Sequence, residues 1–257
     1  MLIHPTAIID PSAELSADVE VGAYCVIQGQ VKIGAATKIG PHVFIGQHTN
    51  IGSRNKIFQF SSIGEEPQDK KYKNEPTTLE IGDDNTIREF CTLNRGTVQD
   101  AGVTKVGNHN WIMAYVHIAH DCIVGNNVIF ANNAQLAGHV KVEDFAILGG
   151  YTGAHQFCRI GAHSITAIGT ILLQDLPPYV MASGEKAKPH GINSEGLKRR
   201  GFSKDAILEI KRAYKTLYKS GHSFEEAKTI INQQAVNHPE LKALSDFLSI
   251  SGRGVIR

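Results

Sequence analysis

Aliphatic side chains recur at every sixth position along the first part of the chain, with polar, small or glycine residues between them. The register consists of Ile3, Ile9, Leu15, Val21, Ile27, Ile33, Ile39, Ile45, Ile51, Ile57 and Ile63. A six-residue period matches neither one face of a helix nor one long strand, but it matches short strands separated by turns. A fixed internal period of this kind indicates a repeat architecture.

The positions around each aliphatic residue predict how the repeat folds. The residue two places earlier is small or β-branched, as in Ala7, Val19 and Cys25, and glycine often follows the aliphatic residue, as in Gly34 and Gly40. Two side chains of each repeat should therefore point inward, and glycine is expected to permit a tight corner after them. Three such faces make a coil of about eighteen residues, with coils stacked roughly 4.8 Å apart. The chain is predicted to be an all-β parallel solenoid.

Two interruptions of the register predict loops that leave the solenoid. After Ile63 the aliphatic pattern is lost over residues 65–78 and then resumes in the same phase. A second excursion near residues 97–104 shifts the phase, and the repeat continues from Val106 to Leu172. Long loops in compact domains are often functional, so the first excursion is predicted to be a lid over a binding site.

The C-terminal part of the chain has a different period. Residues 182–196 are rich in glycine and proline and are predicted to be a turn-rich linker. From Ser203 onward the apolar residues take helical spacing, and Ser223 with Glu226 predicts a capping box. The sequence therefore predicts a β-solenoid over residues 1–185 and a C-terminal α-helical domain over residues 186–257.

Charge and hydropathy exclude several classes of partner. Lys and Arg together number 26 and Asp and Glu 25, so the balance does not favour a nucleic-acid partner. No apolar run approaches the ~20 residues of a membrane span. Because the repeat begins almost at the first residue, no room is left for a signal peptide, and a cytoplasmic protein is expected.

The cysteines are predicted to be core residues. Cys25, Cys91, Cys122 and Cys158 all stand two positions before an inward aliphatic residue. Their wide spacing lacks the paired pattern of a zinc site, and disulfides are rare in a reducing cytoplasm. We therefore expect small buried side chains rather than bridges or metal ligands.

Four of the twelve histidines come together when the coil length is added to their positions. One coil beyond His120 lies Gly138, and two coils beyond it lies Gln156. The residues on either side line up in the same way. One coil beyond Asp121 lies His139, and two coils beyond Ala119 lies His155. His117 stands three residues before His120. Successive coils should therefore present these side chains along one edge about 10 Å long, which is the size of a substrate cleft.

Three interpretations of this edge stay open at the level of the residues. His120 with Asp121 beside it fits a general base and its orienting carboxylate. His117 and His120 could instead bind zinc, as in a solenoid hydratase with its metal at a subunit interface. The histidines could also line a polar corner of a non-catalytic scaffold.

Several ordered motifs narrow the choice, because together they resemble one family. They are Ser62-Ile63-Gly64-Glu65, Gln68-Asp69-Lys70-Lys71, His117-Ile-Ala-His120-Asp121-Cys122, Ala137-Gly138-His139-Val140, His155-Gln156-Phe157 and the segment from Asn193 to Phe202. The hexapeptide register resembles the left-handed parallel β-helix acyltransferases, and these motifs resemble the UDP-N-acetylglucosamine O-acyltransferases of lipid A synthesis. The related N-acyltransferases of the same pathway, which are expected to carry an additional N-terminal domain, are the nearest alternative.

The resemblance implies a fold, a reaction and partners. It implies a left-handed helix, a homotrimer and transfer of a 3-hydroxyacyl chain from acyl carrier protein to the 3-hydroxyl of UDP-N-acetylglucosamine, with no cofactor, no metal and no covalent intermediate. By motif match, His120 would be the general base, Asp121 would orient it, and the N–H of Gly138 would stabilise the oxyanion.

The resemblance also implies which residues bind substrate. Those assigned to the sugar, the phosphates and the adjoining edge are Asp69, Lys71, His117, His139, His155 and Gln156. Those assigned to the nucleotide are Asn193, Glu195, Arg199 and Arg200. Ile168 matches the position that limits acyl length in the family, and a branched side chain there predicts a shortened groove.

Overall fold

The computed structural model describes residues 2–257 and consists of short strands wound into stacked coils. From the N-terminus the strands are β1 (Leu2–Ile3), β2 (Ile8–Ile9), β3 (Glu14–Leu15), β4 (Glu20–Val21), β5 (Val26–Ile27), β6 (Lys32–Ile33), β7 (Lys38–Ile39), β8 (Phe44–Ile45), β9 (Thr49–Ile51), β10 (Lys56–Ile57), β11 (Ser62–Glu65), β12 (Thr78–Ile81), β13 (Thr86–Ile87), β14 (Thr92–Asn94), β15 (Val103–Val106), β16 (Trp111–Ile112), β17 (His117–Ile118), β18 (Ile123–Val124), β19 (Ile129–Phe130), β20 (Gln135–Leu136), β21 (Lys141–Val142), β22 (Ile147–Leu148), β23 (Gly153–Ala154), β24 (Arg159–Ile160), β25 (Ile165–Thr166), β26 (Ile171–Leu172), β27 (Val180–Ser183) and β28 (Lys188–Ile192).

Every third strand stacks on the same sheet, so the coils enclose a three-sided prism. Face A is the 11-stranded sheet that begins with β1, face B the 9-stranded sheet that begins with β2, and face C the 8-stranded sheet that begins with β3. The pairing is parallel between successive coils, with Ile27 opposite Ile45, for example. The chain runs from face A to B to C through three corners, here called A–B, B–C and C–A. The predicted solenoid is confirmed, and its architecture is the left-handed parallel β-helix.

The inward side chains form one continuous core. From Val19 onward both inward positions of each repeat are buried, as Val19 with Val21 and Cys25 with Ile27 illustrate, whereas the first coil is only partly covered. The four cysteines are free and buried, as predicted, and burial raises the pKa of the Cys122 thiol to about 12. Their thiols are therefore neutral at physiological pH, which suits small core residues.

Glycine has a different purpose in the coil from the predicted one. The residues with positive φ at the corners are mostly not glycine: Tyr24 and His42 both have φ of 57°. A Cβ atom added to Gly34, which directly follows Ile33, would lie 2.7 Å from the carbonyl carbon of Gly52 in the next coil. Glycine at this position is therefore required by the close approach of successive coils rather than by the backbone conformation.

Both interruptions of the register leave the prism at the B–C corner, in successive coils. The first loop, residues 66–77, joins β11 to β12, and the second loop, residues 95–102, joins β14 to β15. The first loop inserts two hexapeptide lengths and so preserves the phase. The second inserts one residue more than a hexapeptide and so shifts it. Both loops therefore overhang the edge on which the histidines were predicted.

The segment predicted as a turn-rich linker, residues 182–196, is instead ordered structure. Strands β27 and β28 form an antiparallel hairpin that extends face A to Ile192, beyond the predicted division at residue 185. Gly184 and Gly191 take positive φ values of 102° and 133°, and these allow the hairpin to turn and bulge. Because the glycines are positions of turn and bulge within a hairpin, their density does not indicate a linker.

The helical part follows directly and covers the C-terminal end of the solenoid. Its helices are α1 (Ser194–Arg199), α2 (Lys204–Tyr218), α3 (Phe224–Ala235) and α4 (Lys242–Ile250), with a 3₁₀ turn at Pro239–Leu241. Ser203 caps α2, and the predicted capping box of Ser223 and Glu226 opens α3. The Tyr179 hydroxyl donates to the Glu240 carbonyl oxygen at 2.8 Å and ties the helices to the last coil. Among residues 2–257, none of these helices is long and apolar enough to cross a membrane.

Candidate active site

The B–C corner holds a cleft built by three successive coils and both loops. Strands β17, β20 and β23 stack on face B, so the corner residues that follow them come into line. The cleft encloses about 820 Å³ and is lined by Gln68, Asp69, Lys70, Lys71, Gln99, Asp100, Ala119, His120, His139, Gln156 and Phe157. The structure thus brings together Asp69, Lys71, His120, His139 and Gln156, as the sequence predicts.

His120 and Asp121 form a hydrogen-bonded pair at the centre of this cleft. Nδ1 of His120 lies 2.9 Å from Oδ2 of Asp121, and the Asp121 side chain is almost fully buried. Because a carboxylate only accepts, Nδ1 carries the proton of the neutral imidazole and Nε2 remains free to accept one. The pair therefore has the arrangement of a general base with its orienting carboxylate.

The second loop holds Asp121 in its charged form. The backbone N–H and the hydroxyl of Thr97 donate to its two oxygens at 2.9 and 2.6 Å, and its own N–H donates to the Thr104 hydroxyl at 2.8 Å. Burial tends to raise the pKa of the Asp121 carboxyl, but the hydrogen bonds from His120 and Thr97 outweigh burial, so that its pKa lies below the ordinary value. A charged acceptor beside His120 stabilises the imidazolium that forms when the base takes a proton.

Gly138 lies directly beneath the His120 ring. A Cβ atom added at Gly138 would lie 2.5 Å from Cε1 and 2.7 Å from Nε2 of His120, distances that real side chains do not adopt. Within residues 2–257 the backbone N–H of Gly138 donates to no protein acceptor. A free amide donor and the free nitrogen of the base therefore occupy the same few ångströms of the cleft.

His139 is fixed by three neighbours. Its Nδ1 lies 2.8 Å from Oδ2 of Asp100 in the second loop, and its ring stacks on Phe157 with centroids 4.4 Å apart. The ring also meets His120 edge-on at 5.1 Å. The side chain is thereby held against the cleft wall with Nε2 available for a ligand.

His117 and His155 lie on the face-B side of the corner rather than among the residues around His120. Nδ1 of His117 hydrogen-bonds the Thr92 hydroxyl at 2.7 Å, and burial together with the nearby His120 lowers the pKa of His117. Nδ1 of His155 faces the Gln156 carbonyl oxygen at 3.2 Å. Both line a shallow apolar depression, the face-B groove, with Gln135, Leu136, Ala137, Gly153, Ala154, Ile171 and Leu173.

Ile168 stands at the opposite end of face B from His120. It lies in the A–B corner between β25 and β26, and its side chain is 74% exposed. Ile171 of β26 lines the face-B groove, whereas Ile168 itself does not. The structure therefore places the predicted acyl-length residue across the width of one face from the predicted base.

The four residues assigned to the nucleotide lie elsewhere, beside the C–A corner. The Asn193 amide donates to the His163 carbonyl oxygen, and the Arg200 guanidinium donates to the Phe145 carbonyl oxygen, both at 3.0 Å. Phe145 and His163 are C–A corner residues, and burial with the nearby Arg200 lowers the pKa of His163 to about 4. Within one chain, face C therefore separates this group from the cleft.

Glu195 and Arg199 complete the group on the short helix α1. Glu195 pairs with Lys198 at 2.7 Å on the exposed surface of the helix, and Arg199 is exposed in its last turn. Asn193 caps the same helix by accepting from the Gly196 N–H. One chain alone thus does not bring the nucleotide residues to the cleft.

The geometry also bears on the zinc interpretation. Among the described residues, His120, Asp121 and His139 form a group of three whose possible ligand atoms lie within 4.8 Å of one another. Both oxygens of Asp121 already accept hydrogen bonds from Thr97 and His120, and His117 is not in the group. The arrangement therefore favours the base and its carboxylate over the predicted alternative of a His117–His120 zinc pair.

Three residues of this site were not found by sequence reasoning: Thr97, Asp100 and Thr104. They belong to the second loop and the strand after it, and each holds one of the predicted residues by a hydrogen bond. The phase shift in this segment indicated an excursion, but nothing in the hexapeptide register specifies what an excursion contacts.

Comparison with known proteins gives one consistent result. A family model described as UDP-N-acetylglucosamine O-acyltransferase, domain 2, matches residues 175–256, and a bacterial transferase hexapeptide model matches residues 12–47 and 104–138. The chain is 66% identical over 255 residues to the acyl-[acyl-carrier-protein]–UDP-N-acetylglucosamine O-acyltransferase of Thiobacillus denitrificans, covering 99% of both chains. It is 62% identical to the protein of the same name from a Janthinobacterium species, covering 100% of this chain and 99% of the relative.

Solved structures agree in fold over the full length. The crystal structure of the UDP-N-acetylglucosamine O-acyltransferase of Moraxella catarrhalis has a TM-score of 0.98 at 47% identity, with both chains covered completely. The UDP-N-acetylglucosamine acyltransferase of Arabidopsis has a TM-score of 0.81 at 35% identity, again over 100% of both chains.

Proposed function

The chain belongs to the UDP-N-acetylglucosamine O-acyltransferase family, and from this premise we propose that His120 is the general base of the transfer. The reaction moves a 3-hydroxyacyl chain from acyl carrier protein to the 3-hydroxyl of UDP-N-acetylglucosamine, the first step of lipid A synthesis. The observation that carries the proposal is the close approach of His120 Nε2 to Gly138, where an added Cβ would lie 2.7 Å from it, while Nδ1 is hydrogen-bonded to buried Asp121.

In this mechanism His120 accepts one proton from the sugar and later gives it to the leaving thiolate. Nε2 removes the proton of the sugar 3-hydroxyl as the oxygen attacks the thioester carbonyl carbon. The N–H of Gly138 donates to the oxyanion of the tetrahedral intermediate, a contribution of about 3 kcal/mol at comparable sites. Collapse expels the thiolate of the carrier, which takes the proton from the imidazolium. No covalent bond to the enzyme forms, and no step uses a metal or cofactor.

Four cleft residues are proposed to hold the sugar and its phosphates. Asp69 and Lys71 of the first loop line the same cleft as His139 and Gln156. Carboxylate, imidazole and amide groups hydrogen-bond sugar hydroxyls, while Lys71 adds a positive charge for the pyrophosphate. This placement leaves the sugar 3-hydroxyl beside His120.

A homotrimer is proposed because it joins the cleft to the nucleotide residues. The outward side chains of face C are largely charged or polar, including Glu14, Lys32, Glu80, Lys105, Lys141 and Arg159. Those of face A are apolar from the middle of the solenoid onward: Trp111, Ile129, Ile147, Ile165 and Met181. An apolar column on the outer side of a sheet indicates a protein interface, so face A is proposed to be covered and face C to meet solvent.

The A–B corner supports the same assembly. Five exposed or half-buried rings stack along it with centroids 4.9 to 5.2 Å apart: Tyr24, His42, Phe60, Phe90 and Tyr115, here called the aromatic ladder. If each ladder points to a three-fold axis, face A of one protomer meets face B of the next. The C–A corner of one protomer then adjoins the B–C corner of its neighbour, which brings Arg199 toward the cleft around His120.

Mixed trimers give a sharp test of a shared site. We expect His120→Ala and Arg199→Glu to be nearly inactive alone, yet co-expression of the two should restore activity. With random assembly, about a quarter of the sites would pair an intact B–C corner with an intact C–A corner. The measurement is specific activity of the co-purified mixture. Two different B–C corner variants serve as the control and should not complement, and absence of recovery in the first mixture would exclude a site between protomers.

The face-B groove is proposed to hold the acyl chain. It begins at the cleft with His117 and His155, runs over Gly153 and Ala154, and ends toward the A–B corner where Ile168 stands. Its largely apolar lining suits an acyl chain, and Ile168 is the proposed stop that limits the length of the chain. Each methylene that cannot be buried forfeits about 0.8 kcal/mol of binding.

The chain-length prediction is a preference for roughly ten to twelve carbons over fourteen. Ile168→Gly should lengthen the groove and shift the preference toward the longer chain, with discrimination of about 10- to 200-fold as apolar pockets achieve. The measurement is kcat/KM with UDP-N-acetylglucosamine and carrier thioesters of three lengths. The same assay tests the function itself, including its persistence after chelation. A parent enzyme that already favours fourteen carbons would refute the assignment of Ile168.

The cytoplasm is proposed as the site of action. The four buried free thiols suit a reducing compartment, where disulfides do not form.

A further inference from the structure

Arg95 is a charged side chain in an unusual place. Its residue is only 1% exposed, and it is the largest fully buried side chain of the described residues. It occupies the first position of the second loop. Burying a guanidinium group is costly unless its donors are satisfied, so its partners indicate what it is for.

The partners of Arg95 belong to the solenoid and to the first loop. Nη1 donates to the carbonyl oxygen of Gln47 at 3.1 Å, in the B–C corner of an earlier coil. Nη2 donates to the hydroxyl of Tyr72 at 3.0 Å and lies 3.8 Å from the carboxylate of Glu66. The rigid, forked guanidinium group of Arg95 therefore connects two residues of the first loop, Tyr72 and Glu66, to Gln47 of the prism.

Tyr72 connects Arg95 by hydrogen bonds to the part of the first loop that faces the cleft. Its hydroxyl also donates to the carbonyl oxygen of Glu75 at 2.9 Å, and its backbone N–H donates to the carbonyl oxygen of Asp69 at 3.0 Å. The N–H of Lys71 donates to Oδ1 of Asp69 at 3.0 Å. The turn that presents Asp69 and Lys71 is thus closed by Tyr72, and Tyr72 is held by Arg95.

We propose that Arg95 is a positioning residue that fixes the first loop in its substrate-binding shape before UDP-N-acetylglucosamine arrives. This rests on the proposed function of Asp69 and Lys71. Ordering a free loop on binding would oppose affinity, and a loop that is already ordered avoids that loss. The first loop is then a preformed wall of the cleft, in contrast to the lid that the sequence predicts.

Tyr72→Phe is the mildest test, because it removes only the hydroxyl between Arg95 and Glu75. Loss of a hydrogen bond to a charged group should raise KM for UDP-N-acetylglucosamine about 10-fold. The turnover number kcat should change much less, since Asp69 and Lys71 hold the substrate equally in the ground state and the transition state. Arg95→Met should raise KM at least as much. Tyr24→Phe, which deletes a hydroxyl of the aromatic ladder, is the matched control and should leave KM unchanged.

Hydrogen exchange separates this proposal from the proposed function. In the free enzyme the amides of residues 69–72 should exchange faster in Tyr72→Phe than in the parent, whether or not either protein transfers acyl chains. In an Asp69→Ala, Lys71→Ala background, Tyr72→Phe should no longer alter KM, although exchange still rises. Unchanged exchange, or a lower melting temperature with unchanged KM, overturns the proposal. Tyr72→Phe decides the matter if Arg95→Met fails to fold.

Discussion

Replacing His120 with alanine is expected to lower kcat by about 10²-fold or more, the usual contribution of a positioned general base. The solenoid should be unaffected, because His120 lies on a corner and its ring contributes nothing to the inward core. The measurement is kcat with saturating substrates, together with the melting temperature. A variant with near-normal turnover would exclude His120 as the base.

Asp121 gives a second criterion for the same assignment. Asp121→Asn should lower kcat as well, because the amide can offer its N–H rather than an acceptor to Nδ1 and so favour the wrong tautomer. His4→Ala, which removes an exposed histidine remote from the cleft, is the control.

The solenoid and the column of His120, Gly138 and Gln156 were predictable because the repeat has a constant length of six residues. A strand-and-corner unit of fixed length fixes the register of every coil, so adding one coil length identifies the spatial neighbour. The pairing of His117 with Gln135 and of Gln135 with Gly153 has the predicted spacing. Periodicity therefore specifies which residues share an edge.

The loops could not be predicted in the same way, since no period constrains their path. Thr97 and Arg95 are ordinary polar residues in an interrupted register, and their contacts with Asp121 and Tyr72 exist only in three dimensions. The hairpin of β27 and β28 was missed because its glycines indicate turns without indicating what the turns connect. Resemblance likewise identified Asn193 and Arg199, but not that they lie across face C from His120.

Gly138→Ala is expected to lower kcat by about 10²- to 10³-fold, comparable to losing an oxyanion donor at other sites. The structure gives a more specific reason than the donor alone: the added Cβ would lie 2.5 Å from Cε1 of His120, so the imidazole must move away from Gly138. Gly138 does not take a left-handed backbone conformation, so alanine adds no backbone strain there, and since the clash is with one corner side chain the melting temperature should change little. Gly252→Ala, where the added Cβ meets no atom within 4 Å, is the matched control.

A double-mutant cycle then distinguishes the two ways in which Gly138→Ala could act. If the alanine acts by displacing the base, it should cost little further activity once His120 is already alanine, because the group that it displaces is gone. The backbone N–H is retained in both variants, so any remaining effect reports disturbance of the oxyanion site itself. If the fold-losses in kcat of the two single variants multiply fully in the double variant, the side chain at position 138 does not act through His120. The proposed contact between the base and Gly138 would then have to be abandoned.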